Sequence, residues 1–375
     1  MNILVDGRAF CASSAGISTV LRCVLQSWGN QYPKEVLYVI LPKERVGSIR
    51  NTEFPPNVKW LESKSLVFKY LPNLVYLLLM VPYYIFKYKI SVYYTPVPCL
   101  PFFIPKKVKT IIEINDVVNL EYKDTMAWSN KLANALLFNR SMKKADVIWS
   151  ISEYTKKKVE EYFPKRRCNE IFVGCATDRT LYKKLDISLE TKIELKNKFG
   201  VKDKFILFVG SLEPRKNLPF LLDIIPEIYR EAGIQLVVVG AKGWKNSAIR
   251  TKVMDALFPQ ESTIFCGFVP NEELVMLYNI ADCFVSSSLN EGFGLPQLEA
   301  FLCGCPVITS ANSAMIEVAE SKKGGYLIEG YNKEEWIKKI INVVREQPSV
   351  DIHQFDKYNW DSIVKELRKS RIEES

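Results

Sequence analysis

The chain has 375 residues, 48% of them hydrophobic and 25% charged, a balance that excludes a disordered or fibrous protein and suits two cores of similar size. Its net charge of +9 is unevenly placed: residues 1–180 carry 26 Lys and Arg against 15 Asp and Glu, the remainder 25 against 27. That excess alone is poor evidence for nucleic-acid binding, and no helix-turn-helix or stacking motif accompanies it. The nine cysteines do not read as a disulfide framework, because several, among them Cys266, Cys283, Cys303 and Cys305, lie in or beside apolar runs as small hydrophobes. Cys303 and Cys305 are too close for a zinc knuckle and the single histidine, His353, is distant in sequence, so no metal site is expected.

In chain order, NILVD (2–6) reads as a buried strand with no basic segment ahead of an apolar one, so no secretory leader and a cytoplasmic location are expected. Further strands follow at LYVIL (37–41), SVYYT (91–95), TIIEI (110–114), DVIWS (146–150) and EIFVG (170–174), with helical patterns between them. Residues 70–86, YLPNLVYLLLMVPYYIF, are uncharged and approach the length of a membrane span. Pro72, Asn73, Pro82 and the strand that must follow favour instead a helix covering one face of the first domain. Residues 59–109 also hold eight lysines. The aromatic end of 70–86, with YYTPVPCLPFF (93–103), could rest on a bilayer with those lysines as anchors, or pack in the core; both readings stand.

After a polar, lysine-rich stretch near 183–204 the pattern restarts with FILFVG (205–210), LVVVG (236–240), TIFCG (263–267), CFVSS (283–287), PVITS (306–310) and GYLIE (325–329). The fold class expected is therefore α/β: two doubly wound, Rossmann-like domains facing across a cleft, with ligands beyond the carboxyl ends of the strands. Predicted boundaries are 1–180 for an acceptor-binding domain, 181–355 for a nucleotide-sugar-binding domain, and 356–375 for a helix crossing back to the first.

The segment SLNEGFGLPQLEAFLCGCPVITS (288–310) places Glu291 and Glu299 either side of a glycine-rich corner. Gly292 and Gly294 let the backbone turn sharply and approach a ligand, and Pro296 suits the first position of a helix that ends near Gly304. Unpaired N–H groups at such a helix start attract phosphate. Glu299, expected in the first turn, would accept hydrogen bonds from a ribose diol, and Glu291 would face a sugar beyond the phosphates. Taken singly, each acid reads equally well as an ordinary helix or loop carboxylate. The pair Arg215 and Lys216 follows a strand and a Gly-Ser turn, where two cations are disfavoured by a helix start and so point to a diphosphate.

The string EGFGLPQLEAFLCGCPVI closely resembles the signature of the retaining glycosyltransferase family 4, whose members have the GT-B fold and use nucleotide sugars. FVGSLEPRKNL (208–218), CGFVPNEEL (266–274) and MNILVDGRAFCASSAGIS (1–18) are similar to further segments of that family. The resemblance implies a hexosyltransferase acting on an oligosaccharide or glycolipid acceptor in surface-polysaccharide biosynthesis, lipopolysaccharide or capsule, cytoplasmic or peripheral on the inner face of the membrane. Mannose from GDP-mannose is the first expectation, ahead of dTDP-rhamnose or a UDP-sugar. Donor-binding residues implied are Gly16, Gly210, Ser211, Arg215, Lys216, Val269, Glu291, Gly292, Phe293, Gly294, Leu295 and Glu299; Glu291, Arg215, Lys216, Asn115 and Asp116 form the implied catalytic set. The nucleotide-diphosphate sugar is a co-substrate, and no cofactor is expected.

The chain departs from the family pattern at IIEINDVVN, where Asn115 stands in the place of a histidine before Asp116. Asn can donate and accept hydrogen bonds but carries no proton to an acceptor. The alternative reading this motivates is a catalytically weak GT-B subunit that supports a partner transferase. There is no Asp-x-Asp motif to hold a metal between phosphates, so metal-independent transfer is expected, with Arg215, Lys216 and the helix start supplying the charge. A dehydrogenase is disfavoured, since no strand is followed by G-x-G-x-x-G.

Overall fold

Continuous apolar runs make strands buried on both faces, and such strands assemble into parallel sheets covered by helices. A computed structural model describes residues 1–11, 15–42, 54–63, 79–116, 137–168, 170–240, 254–255, 258–369 and 372. It divides the chain into two compact units: residues 1–176 together with 358–375, and residues 177–357.

The first unit contains β1 (Asn2–Asp6), β2 (Val36–Pro42), β3 (Val58–Ser63), β4 (Val92–Thr95), β5 (Lys109–Ile114), β6 (Val147–Ser150) and β7 (Ile171–Val173). These form one sheet in the order β3-β2-β1-β4-β5-β6-β7, every pairing parallel. Helices α1 (Ala15–Gln31), α2 (Val81–Lys87) and α3 (Glu153–Tyr162) connect them. Strand β3, VKWLES, was not expected; its alternation of apolar and polar residues suits an edge position, and it pairs with β2 alone.

The second unit contains β8 (Phe205–Val209), β9 (Gln235–Val239), β10 (Thr263–Gly267), β11 (Cys283–Ser286), β12 (Val307–Ser310) and β13 (Gly325–Ile328), ordered β10-β9-β8-β11-β12-β13 and again parallel throughout. Its helices are α4 (Leu189–Phe199), α5 (Leu218–Ala232), α6 (Asn271–Ile280), α7 (Leu295–Leu302), α8 (Met315–Ala319) and α9 (Lys333–Glu346). The polar stretch near 183–204 turns out to hold α4, which buries none of its residues and is capped by Ser188 and Gly200. One face of the sheet, including Ile206, Phe208, Leu236 and Val238, packs against Leu221, Ile224 and Ile225 of α5 and Trp336 and Ile340 of α9.

Both sheets are α/β, doubly wound and Rossmann-like, and each reverses its strand order once, between β1 and β4 in the first unit and between β8 and β11 in the second. Loops leaving adjacent strands at such a reversal diverge and open a crevice for ligands. The loop after β8 carries Gly210, Ser211, Arg215 and Lys216, and the loop after β11 carries Glu291 to Gly294. Topology alone therefore brings the two sequence motifs side by side.

The last helix, α10 (Trp360–Arg368), belongs to the first unit. Its apolar face buries Trp360, Ile363, Val364 and Leu367. Ser27 of α1 donates to Asp361 Oδ1 at 2.7 Å, and Arg368 Nε donates to Glu35 Oε1 at 3.0 Å. Of residues 70–86, the first nine lie outside the described residues, Leu79 and Met80 precede α2, and 81–86 lie within it. Among the described residues no helix is long and apolar enough to cross a membrane.

Candidate active site

The loop after β8 folds into a 3-10 turn at Pro214–Lys216, closed by Asn217 in the left-handed region at φ 50°. A non-glycine residue held there is a strained feature that clusters at functional sites. The turn directs both cations at one carboxylate. Arg215 Nη1 donates to Glu291 Oε2 at 2.9 Å, and Lys216 Nζ donates to Glu291 Oε1. Ser288 Oγ donates to the same Oε1 at 2.8 Å, and Arg215 Nε reaches Glu213 Oε2 at 2.9 Å. The two loops are also tied by Leu289 N–H donating to the Arg215 carbonyl at 2.7 Å. On the far side the Glu291 N–H donates to Ser313 Oγ at 3.0 Å.

Glu291 and Lys216 are each 8% exposed, so this is a desolvated charge cluster. Burial pushes the Glu291 carboxyl up, but Lys216 and Arg215 more than offset it and hold the group below the usual carboxylate range. Burial likewise opposes charge on Arg215, and Glu291 and Glu213 reverse that effect. Glu291 thus sits between two cations, and Arg215 is shared between Glu291 and Glu213.

Glu299 is buried elsewhere in the same unit. Tyr278 of α6 donates to Oε2 at 3.0 Å, and Thr177 donates to Oε1 at 3.3 Å. Burial raises its pKa to about 7, against the opposing effect of those two hydrogen bonds. The expected place of Glu299 in the first helical turn is corrected here: α7 begins at Leu295, with Pro296 second, so Glu299 is the fifth residue and no acid lies in the first turn. The cause is Gly294, the N-cap, whose φ of 95° lets the helix start one residue early. The helix dipole, strongest in the first turn, therefore does little for Glu299.

The other expected donor residues of this unit lie on the loops after β8, β10 and β11. Gly210 follows β8, and the Lys216 side chain runs past it, with Cε 3.5 Å from where a Cβ would stand. Gly240, after β9, has φ 156°, and a Cβ there would sit 1.8 Å from the Gly210 carbonyl oxygen. Ser211 and Gly292 are half-buried, Phe293 and Val269 are buried, and Leu295 is half-buried at the helix start. Gly16, Asn115 and Asp116 belong to the first unit: Gly16 is exposed near the start of α1, and Asn115 Nδ2 donates to the Pro96 carbonyl at 3.2 Å.

Sequence reasoning missed Tyr278, Thr177, Ser288, Ser313 and Glu113. Glu113, on β5 two residues before Asn115, is fully buried, and Tyr94 donates to its Oε2. Burial raises its pKa to about 7, with Tyr94 and Asn115 hydrogen bonds opposing. An acid set among the isoleucines of the strand KTIIEI was the available signal.

Residues 190–360 match the family model described as glycosyl transferases group 1. The chain is 28% identical over 221 residues to the serotype-specific mannosyltransferase WbdA of Escherichia coli, covering 56% of this chain and 26% of that one. It is 29% identical over 241 residues to the O-antigen chain mannosyltransferase B of Escherichia coli, covering 62% and 60%. The chain thus spans about a quarter of the first relative's length and three fifths of the second's. Among solved structures it resembles HepE of Anabaena, crystallised with UDP and glucose, at a TM-score of 0.71 and 15% identity over 99% of each chain. Sucrose-phosphate synthase from Thermosynechococcus elongatus matches with a TM-score of 0.71 and 16% identity over 98% of each. The chain has the GT-B fold, and residues 190–360 of its second half match the model of glycosyl transferases group 1.

Proposed function

We propose that the protein is a retaining hexosyltransferase that moves mannose from a nucleotide-diphosphate donor, GDP-mannose first, to a surface-glycan acceptor, lipid-linked or oligosaccharide. The observation that carries this reading is the Arg215–Glu291–Lys216 cluster at the point where the second sheet reverses its strand order. Such a pair of cations, Lys216 buried and Arg215 half-buried, fits the charge that develops on a departing diphosphate. The donor's bridge takes the two cations over from Glu291, whose carboxylate then accepts hydrogen bonds from sugar hydroxyls. Glu299 holds the ribose. A carboxylate accepts more strongly than a carboxylic acid, and with its pKa raised to about 7 Glu299 makes that contact best above neutral pH.

When the glycosidic C1–O bond breaks, the bonding pair stays on the diphosphate oxygen, and Arg215 and Lys216 stabilise it without a metal. The departing phosphate takes the acceptor hydroxyl's proton on the same face of the sugar, which retains configuration and needs no protein base. Asn115, which carries no proton, is compatible with that role on the sugar or acceptor side. The mannosyltransferase relatives support the choice of sugar.

Thermal-shift measurements with GDP-mannose, dTDP-rhamnose and UDP-glucose test the donor, because a ligand that binds only the native state raises its melting point. The expected result is a shift with GDP-mannose and with GDP. Transfer by the purified chain, insensitive to a chelator, with the product anomer matching the donor by NMR, is expected. No transfer by the chain alone, or a loss of activity with chelator that manganese restores, would overturn the reading.

A further inference from the structure

We infer that the first unit docks on an anionic lipid surface through an aromatic and basic face built by α2 and the loop between β4 and β5, a proposal independent of the transfer reaction. Helix α2 buries Val81, Tyr84 and Ile85. Its opposite side presents Tyr83 and Phe86 at 51% and 61% exposure, and Leu79, two residues before the helix, is 63% exposed. Phe86 stacks on Phe103 across to the following loop, with ring centroids 6.3 Å apart, and both rings remain more than half exposed. Phe102 lies beside them in sequence, also half exposed, with the Arg140 guanidinium 4.8 Å from its ring centroid. Arg140 is pinned there, donating to the carbonyls of Pro101 and Phe102 at 3.0 and 2.6 Å.

Single exposed apolar residues are ordinary, but a joined set of large ones marks an interaction surface. Its charge selects the partner. Residues 79–109 contain five lysines and no acid. Lys87, Lys89, Lys106 and Lys107 are exposed, and the Lys87 ammonium lies 5.4 Å from the Tyr83 ring centroid, its stem along apolar surface and its charge in water. Rings that enter the acyl boundary with lysines at headgroup level are the arrangement that binds an anionic bilayer in the interface plane.

Flotation of the full chain with vesicles of phosphatidylcholine alone, and with a third of phosphatidylglycerol, tests this. Binding to the anionic vesicles alone is expected, weakened by salt. Phe86→Ser with Phe103→Ser, and separately Lys106→Glu with Lys107→Glu, should each lower the partition coefficient at least ~tenfold. Both variants should keep the wild-type melting point and transfer to a water-soluble acceptor, so a failure here is distinct from a failure of the proposed reaction. The proposal is overturned if the wild type binds neither vesicle or both equally, or if the variants bind as the wild type does. It is equally overturned if the chain is a dimer that the phenylalanine variant dissociates, since the face would then join two copies.

Discussion

At the scale of single residues, the two carboxyls raised to about 7, Glu299 and Glu113, tie stability to pH. In each the folded pKa lies above the reference of 4.5, so the folded state holds the proton more tightly. Stability from this source is full below about pH 4.5 and is lost as pH rises towards 7. Replacing Glu299 with Gln removes a buried charge that costs on the order of 3 kcal/mol when ionised. Glu299→Gln should therefore raise stability by ~1–3 kcal/mol at pH 8 and change it little at pH 5, read by urea unfolding at both. Donor affinity should fall at least about tenfold, since hydrogen bonds to a charged acceptor are worth ~1.5–3 kcal/mol. A variant that binds donor as the wild type does would contradict the ribose assignment. Glu291 behaves in the opposite sense, because its removal leaves Arg215 and Lys216 facing an empty centre. Glu291→Ala should cost roughly 3–5 kcal/mol, the usual penalty for breaking a buried pair from one side. Inorganic pyrophosphate should recover more of the melting point in this variant than in the wild type, by replacing the missing anion.

At the scale of elements, the close approach of β7's end to α10 decides a packing question. Gly174 follows β7, and a Cβ on it would stand 2.8 Å from Ile363 Cγ2. Gly174→Ala should cost ~1–3 kcal/mol through overpacking, and Ile363→Ala, which removes both γ carbons that crowd this position, should cost less in the Gly174→Ala background than in the wild type; purely additive losses would rule the contact out. Twelve strands were legible because each is an apolar run bounded by turn residues, as NILVD and FILFV show. Strand β3 was not, because VKWLES carries its apolar residues between polar ones at the sheet's edge. Within the candidate site, the glycines and the Arg-Lys pair stood out as residues whose chemistry is unusual in a turn. Tyr278 did not, because LVMLYNI reads as the buried stripe of a helix and its hydroxyl finds Glu299 only in three dimensions. The pairing of Glu291 with both cations was hidden for the same reason, since 75 residues separate Lys216 from Glu291 and only the β8–β11 adjacency joins their loops.

At the scale of the whole molecule, the chain leaves its first unit after Ala176 and returns to it at Tyr358, so the first unit is assembled from both ends of the sequence. The returning segment is well anchored. Trp360 sits edge-on to Trp149 with centroids 6.3 Å apart, and the Arg368 guanidinium lies 4.3 Å from the Tyr32 ring centroid. Arg368 also neutralises Glu35, which accepts from Trp28 Nε1 at 2.9 Å inside the unit. Ending the chain at Lys357 would expose the surface now covered by Trp360, Ile363, Val364 and Leu367, and would leave Glu35 buried without its cation. At ~1.5–3 kcal/mol for each large apolar side chain removed from water, discounted for residual burial in the unfolded chain, the opening free energy of the first sheet should fall by at least ~3 kcal/mol. The second unit has its own core, and none of those four side chains is a member of it. Hydrogen exchange on the truncated chain should accordingly show amides of β1, β4 and β6 losing protection by at least about a hundredfold while those of β8, β9 and β11 keep theirs. Equal losses in both sheets would mean that the tail stabilises the molecule as one cooperative body and not through the first unit.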